Sequence, residues 1–275
     1  MMPTVAEKRR RFAELHKGPG CFVMPNPYDV GSAKYLASVG FPAIASSSAG
    51  MAFAMGKADG EVRRAETLAH LAELAAAVAV PLNADFEDGF ARDAEGVQES
   101  VRLCVGAGVA GLSIEDYPQE GGALYAVSEA VERLRAARAA INATGEAVIL
   151  TARSEAIWRP GSGGLPEALR RLEAFAEAGA DVLYAPGVKT AAEVSEVVRV
   201  AGKLPVNVVM GAPGLSKQEL EDLGVRRIST GGALSRVAWG AFMRAAKDIA
   251  EHGRFDAFAG APPVAEIVAG FREKA

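Results

Sequence analysis

Eight short apolar segments of strand length recur along this chain, each ending in polar residues and each followed by a stretch of helical periodicity. They cover 21–24, 43–46, 81–85, 111–115, 148–152, 181–185, 205–209 and 226–230. The helical stretches cover 30–39, 61–78, 93–107, 127–142, 166–178, 191–200, 217–223 and 234–251, after a leading helix over 4–17. Continuous apolar runs suit a parallel sheet whose two faces are both buried. Eight β/α units in 275 residues fit a (β/α)8 TIM barrel of the α/β class with an extra N-terminal helix, and a doubly wound open sheet is the second choice. No Pro/Gly/Ser-rich linker divides 1–275, so a single domain is expected. Thr190 with Glu193 and Ser216 with Glu219 have capping-box spacing. Pro166 suits a first helical turn, and Gly108, Gly179 and Gly224 suit helix exits.

A barrel of this kind carries its chemistry at the carboxyl ends of its strands. In strand order those ends hold Asn26, Ser46 to Ser48, Asp85 with Glu87, Glu115 with Asp116, Arg153, Tyr184, Asn207, and Ser229 to Gly232. The period of two along a strand points Asp85 and Glu87 the same way, with Phe86 opposed. Asp85, Glu87 and Glu115 offer oxygen ligands without Cys or His, a set that selects Mg²⁺ or Mn²⁺ over Zn²⁺. The plain alternatives are a solvated acidic turn and a Glu115 that pairs with a basic neighbour. Arg153 presents a planar fork to a carboxylate, or else balances the acids. Ser46, Ser47 and Ser48 with Gly50 offer hydroxyls and N–H groups to a second anionic group, or form a turn. Asn207, an amide on a buried strand, either satisfies backbone groups or touches ligand.

Other classes are excluded by composition and spacing. The glycines at 106, 108 and 111 match a dinucleotide fingerprint in letters only, since they follow a helix and lead into a strand. A net charge of -4 and a pI near 5.6 leave no nucleic-acid footprint, and the basic run 8–11 is expected on the polar face of the leading helix. No apolar run approaches a membrane span and 1–11 lacks a secretory core, so a cytoplasmic enzyme is expected, with no nucleic-acid and no membrane partner. Cys21 and Cys104 suit buried thiols, and His16, His70 and His252 are isolated surface or packing residues.

Several segments, taken in order, resemble the isocitrate lyase and phosphoenolpyruvate mutase superfamily over nearly the whole chain. They are Gly40-Phe41-Pro42-Ala43-Ile44 with the serines, Gly56-Lys57-Ala58-Asp59, Asp85-Phe86-Glu87-Asp88-Gly89, Ile114-Glu115-Asp116, Thr151-Ala152-Arg153, Ala178-Gly179-Ala180-Asp181 and Pro205-Val206-Asn207. The resemblance implies a barrel that often exchanges its last helix with a partner subunit in a homodimer or homotetramer, and a Mg²⁺ (or Mn²⁺) ion beside a small-molecule 2-oxo acid. By position, Asp59, Asp85, Glu87 and Glu115 correspond to the family's metal shell, with Asp59 and Arg153 as catalytic candidates. Ser47, Ser48, Arg153 and Asn207 correspond to its substrate contacts.

The departures narrow the chemistry. Family lyases that cleave isocitrate or methylisocitrate carry a Lys-Lys/Arg-Cys-Gly-His loop after the fourth strand. Here 117–125 reads Tyr-Pro-Gln-Glu-Gly-Gly-Ala-Leu-Tyr, with no Cys, His or Lys, and without the lysine and asparagine of the mutase pattern. Glu87 stands where aspartate is more usual. What remains is a 2-methylisocitrate lyase-like or oxaloacetate decarboxylase-like member. The expected activity is that of a Mg²⁺-dependent carbon–carbon lyase or decarboxylase that cleaves a small 2-oxo dicarboxylate through a stabilised enolate. The alternatives are phosphonopyruvate hydrolysis or phosphoenolpyruvate rearrangement, and a non-catalytic 2-oxo acid binder resembling a 2-oxoglutarate sensor.

Overall fold

Strand exits and helix starts fall where local hydrogen-bonding chemistry puts them. In the computed structural model, which describes residues 2–272, the chain begins with α1 (Val5–Lys17), β1 (Phe22–Met24), α2 (Val30–Ser38), β2 (Ile44–Ala45) and α3 (Ser48–Ala54). It continues through α4 (Arg64–Ala77), β3 (Leu82–Asp85), α5 (Ala94–Gly106), β4 (Gly111–Glu115), α6 (Val127–Thr144), β5 (Ile149–Arg153) and α7 (Gly164–Glu177). The last part runs β6 (Val182–Tyr184), α8 (Ala191–Ala201), β7 (Val206–Val209), α9 (Lys217–Asp222), β8 (Arg227–Ser229), α10 (Ala233–His252) and α11 (Val264–Gly270). Both capping boxes form: Thr190 N–H donates to Glu193 Oε2 at 3.0 Å and Ser216 N–H to Glu219 Oε2 at 2.7 Å. The helix α3 lies outside the expected set. Ser47 Oγ accepts from Gly50 N–H at 3.1 Å, and this cap turns the serine run into a helix start.

All strand pairs are parallel, and the sheet runs from β2 through β3 to β8 and on to β1. At the remaining seam, between β1 and β2, Ala45 N–H donates to Pro25 O at 3.1 Å. The fold is therefore a (β/α)8 barrel. Outward strand residues such as Leu112, Leu150, Leu183 and Ile228 are buried against the helices in one continuous core. Inside the barrel, Phe22, Met24, Ala43, Ala45 and Ala110 cluster with Phe12 of α1. Phe12 is fully buried there, and a side chain on Gly111 would put a Cβ 2.7 Å from its ring and 3.0 Å from Ile149 O. Only glycine admits the ring at this level.

The basic run at 8–11 corrects the expectation of a solvated helix face. Lys8 and Arg9 are buried: Lys8 Nζ donates to Ala75 O (2.7 Å) and Val78 O (2.6 Å), Arg9 to Val105 O (2.7 Å) and Val109 O (3.0 Å). Those carbonyls lie at the carboxyl ends of α4 and α5, where orphaned oxygens and the helix dipole both favour a cation. The helix α1 is thereby fastened across the amino-terminal mouth of the barrel. Both cysteines are buried free thiols. No described helix is long and apolar enough to cross a membrane. The helix α10 departs from the packed shell: of its twenty residues only Ser235 is buried, while Val237, Phe242 and Met243 are 70%, 61% and 61% exposed.

His16 closes the plug from below. Its Nδ1 lies 2.8 Å from Phe12 O and its Nε2 3.2 Å from Arg227, an arrangement that keeps the proton on Nδ1 and leaves Nε2 to accept. Burial, reinforced by the Arg227 charge, pushes its pKa down to about 3. The native ring thus stays neutral where the unfolded ring takes up a proton, so stability is full above pH 6.5 and falls as pH drops from 6.5 toward 3. We expect a slope of about 1.4 kcal/mol per pH unit from this group. Urea unfolding between pH 6.5 and 4.5 checks it: His16→Gln should flatten the curve relative to wild type, and parallel curves would reject the assignment.

Candidate active site

The carboxyl rim of the barrel is built by backbone groups that pin polar side chains in place. Asn26, after β1, donates to Ser46 O (2.7 Å) and accepts from the N–H groups of Thr230 (2.8 Å) and Gly231 (2.9 Å). It therefore ties the ends of β1, β2 and β8 together at the seam. Ser46 Oγ accepts from Asp85 N–H at 2.8 Å, and Ser48 N–H donates to Asp85 Oδ2 at 3.1 Å. These two contacts fix the Asp85 carboxylate at the end of β3.

Arg153, at the end of β5, gathers the acids. Its NH1 lies 3.2 Å from Asp85 Oδ1 and 3.2 Å from Glu115 Oε2, and its Nε donates to Glu155 Oε1 at 2.6 Å. The faces of Tyr184 and Trp158 flank the guanidinium at 5.4 and 5.9 Å. Burial alone would lower the Arg153 pKa, but Glu115, Glu155 and Asp85 hold it well above the ordinary value. Burial pushes the Glu115 carboxyl well up, against the pull of Arg153. Asp59, on the loop after α3, also titrates high, through desolvation over the cavity and the Asp85 charge, while the Ser48 side chain bonds to it.

Glu87 arrives by a route that strand alternation does not describe. The strand β3 stops at Asp85, and Glu87 sits in a turn with φ 45°, so it does not project beside Asp85 as a strand neighbour would. It is nevertheless buried, and its Oε1 has no hydrogen-bond partner. Burial and the charges of Asp85, Asp59 and Asp88 push its pKa up to about 8. Asp88 serves the scaffold, accepting from Tyr125 Oη at 2.8 Å and lying 3.4 Å from Arg133. Asp116 does likewise, accepting from Glu155 N–H (2.7 Å) and Arg171 (3.1 Å).

Asp59, Asp85, Ser47, Ser48, Arg153 and Asn207 line one cavity of about 140 Å³. Asn207 is satisfied by side chains, accepting from Arg227 Nε (2.8 Å) and donating to Ser229 Oγ (3.0 Å). A larger hollow of about 460 Å³ adjoins, walled by Phe53, Val188, Met210 and Leu215 and sharing Trp158 with the first. Two members of the site had no place in the sequence expectation, Glu155 and Arg227. Glu155 had a signal, an acid two residues past Arg153. Arg227 had none, because only the closed barrel brings it under Asn207.

Among the described residues no three His, Cys, Asp or Glu side chains stand ready around a common metal position. The Arg153 guanidinium lies between Asp85 and Glu115 as their counter-charge. The chemistry of the donors still fits a hard divalent cation. Asp59, Asp85, Glu87 and Glu115 offer oxygen donors only, and among the described residues Glu87 Oε1 is a buried acceptor without a hydrogen-bond partner. The loop 117–125 is tied down over this side. Gln119 Nε2 donates to Val62 O at 2.6 Å, and Arg159 stacks 3.6 Å from the Tyr117 ring centre.

Comparison with known proteins adds to this geometry. The family profile described as phosphoenolpyruvate phosphomutase matches residues 12–250. An uncharacterized protein of Mycobacterium tuberculosis is 33% identical over 224 residues, covering 80% of this chain and 81% of that protein. An oxaloacetate decarboxylase of Bradyrhizobium diazoefficiens is 29% identical over 217 residues, covering 75% and 72%. A solved structure from Burkholderia cenocepacia, provisionally described as a lyase/mutase, superposes with a TM-score of 0.92 at 44% identity and covers 97% of each chain.

The charge arrangement has a direct consequence. Arg153→Met leaves Asp85, Glu115 and Glu155 buried without their shared cation, and unfolding free energy should fall by about 3–5 kcal/mol at pH 7. The loss should shrink toward pH 5, because native carboxyls with raised pKa values take up protons that the unfolded chain does not. Urea titrations of both proteins at the two pH values check this, and equal stability at pH 7 would reject it.

Proposed function

The chain belongs to the phosphoenolpyruvate phosphomutase family, and from that premise we propose that it is a Mg²⁺-dependent lyase that breaks a carbon–carbon bond beside the oxo group of a small 2-oxo dicarboxylate, oxaloacetate being the simplest. The observation that carries this reading is the set of oxygen donors at the carboxyl rim: Asp85 and Glu115 paired with Arg153, Asp59 in the same cavity as Asp85, and Glu87 buried with an unpartnered oxygen. Asp85, Glu87 and Glu115, with Asp59, are the residues that would hold the ion. When bound, it supplies Lewis-acid stabilisation of the negative charge that develops on the oxo oxygen as the bond breaks.

The remaining work falls to the chain. With its Nε held on Glu155, Arg153 would turn its Nη1 edge from the acids to a substrate carboxylate. Ser47 and Ser48 line the opposite wall with hydroxyl groups, and Asn207 presents an amide already fixed by Arg227 and Ser229. Asp59, which lines the cavity beside Asp85, is the group we assign to hold the proton that finally goes to the product carbon. Decarboxylation asks for no further acid or base, which accords with a 117–125 loop lacking Cys, His and Lys. That same bare loop favours one other reading, a binder of 2-oxo acids that does not turn them over.

The acid test is kinetic. Purified protein with oxaloacetate and Mg²⁺ should release pyruvate well above the metal-only rate, and Asp85→Ala should lower the enzymic rate at least about 100-fold. Pyruvate formation no faster than with metal alone would reject the lyase reading, and tight calorimetric binding without turnover would leave the binder.

The exposure of α10 on all sides supports a homo-oligomer in which this helix packs on a partner subunit. Val237, Phe242 and Met243 point in different directions around it, and its own barrel leaves each of them uncovered. Light scattering should give a dimer or tetramer mass, and Phe242→Asp with Met243→Asp should shift it to monomer. A monomeric wild type would overturn the assembly.

A further inference from the structure

Among the described residues, Arg227 is a buried cation that no carboxylate answers. It is 2% exposed on β8, and its three hydrogen-bond partners are neutral: Asn207 Oδ1 at 2.8 Å, Thr151 Oγ1 at 2.9 Å and His16 Nε2 at 3.2 Å. Those contacts use three of the five N–H groups a guanidinium carries. The barrel's other inward or buried arginines differ, since Arg133, Arg153 and Arg171 each face an acid. Burial pushes the Arg227 pKa down to about 9, and Tyr184 is the one group drawing it back up. A buried charge without a counter-ion is costly, and its retention points to an anion that comes and goes.

The position of Arg227 says where that anion would lie. Arg227 borders the same cavity as Arg153, Asp85 and the serines. It bonds to Thr151, which precedes Arg153 by two residues on β5 and faces the same way. Two strand residues rise about 6–7 Å, so the two guanidinium levels are separated by roughly the length of a short diacid. The cavity is polarised along this axis, with carboxylates at the rim and an unanswered cation at the floor.

We infer that Arg227 is the receptor for the far carboxylate of the ligand, making the floor of the cavity the subsite that selects 2-oxo dicarboxylates over 2-oxo monocarboxylates. This rests on the 2-oxo acid reading above and adds to it the residue that sets substrate class. A network serving only to hold α1 in place would affect every ligand equally; a carboxylate receptor affects only those with a second charge.

Calorimetry on the full chain with Mg²⁺ separates the two, using 2-oxoglutarate and 2-oxopentanoate, which share a carbon count and differ in the far carboxylate. Wild type should bind 2-oxoglutarate at least tenfold more tightly. Arg227→Met should abolish that ratio, even where loss of its bond to Asn207 weakens both acids, and Arg227→Lys should keep part of it. Should Arg227→Met fail to fold, Arg227→Lys and Thr151→Val carry the test, each expected to lower the ratio at least threefold. Equal binding of the two acids by wild type, or a loss in the variants that falls on both alike, overturns this inference and leaves the oxo-acid reading standing. Binding of neither acid overturns both.

Discussion

One buried guanidinium decides how the upper end of this barrel can exist. Asp85, Glu115 and Glu155 come from different parts of the chain, and each would be hard to bury as a charge by itself. Arg153 lies within ion-pair distance of all three, so the rim is held by attraction to one centre instead of being driven apart by its own acids. Because backbone N–H groups of Ser48 and Glu155 also anchor acids in this network, the electrostatics are written into the strand ends and not left to mobile side chains. A site built this way is balanced from within by arginine, and under the proposed function a bound cation would free that arginine for other use.

The scaffold residues around the site explain why a run of acids divides into two functions. Within Asp85-Phe86-Glu87-Asp88, Asp85 lines the cavity, Glu87 is buried in the turn, and Asp88 points to Tyr125 and Arg133. Phe86 is fully buried, packing its ring 5.1 Å from Phe90, which holds the turn that separates them. The same segment therefore borders the cavity through Asp85 and fastens the neighbouring loop through Asp88.

The barrel itself was legible in the chain because strand and helix periods, capping boxes and helix-exit glycines depend on near neighbours in sequence. The grouping of Asp59, Asp85, Arg153 and Asn207 followed from the rule that strand ends meet at one rim, together with a family resemblance. What escaped were contacts that only closure creates. Lys8 and Arg9 carry no mark in sequence of the helix ends they cap, some seventy to a hundred positions away. Glu87 was assigned through strand alternation, yet a left-handed turn delivers it. The helix α3 was hidden because serines serve equally as turn residues and as caps, and only the geometry of Ser47 and Gly50 decides. Arg227 carries no local signal, because Asn207, Thr151 and His16 reach it only when the ring closes.

The plug at the amino-terminal mouth also sets an order of assembly. His16 and Arg227 meet across 211 positions of chain, so α1 is synthesised long before its deepest partner exists. Until β8 seals the ring, Phe12 has no complete cage and His16 has no guanidinium to meet. Completion of the plug therefore waits for β8, whereas the carbonyls that hold Lys8 and Arg9 belong to the first half of the chain and exist well before it.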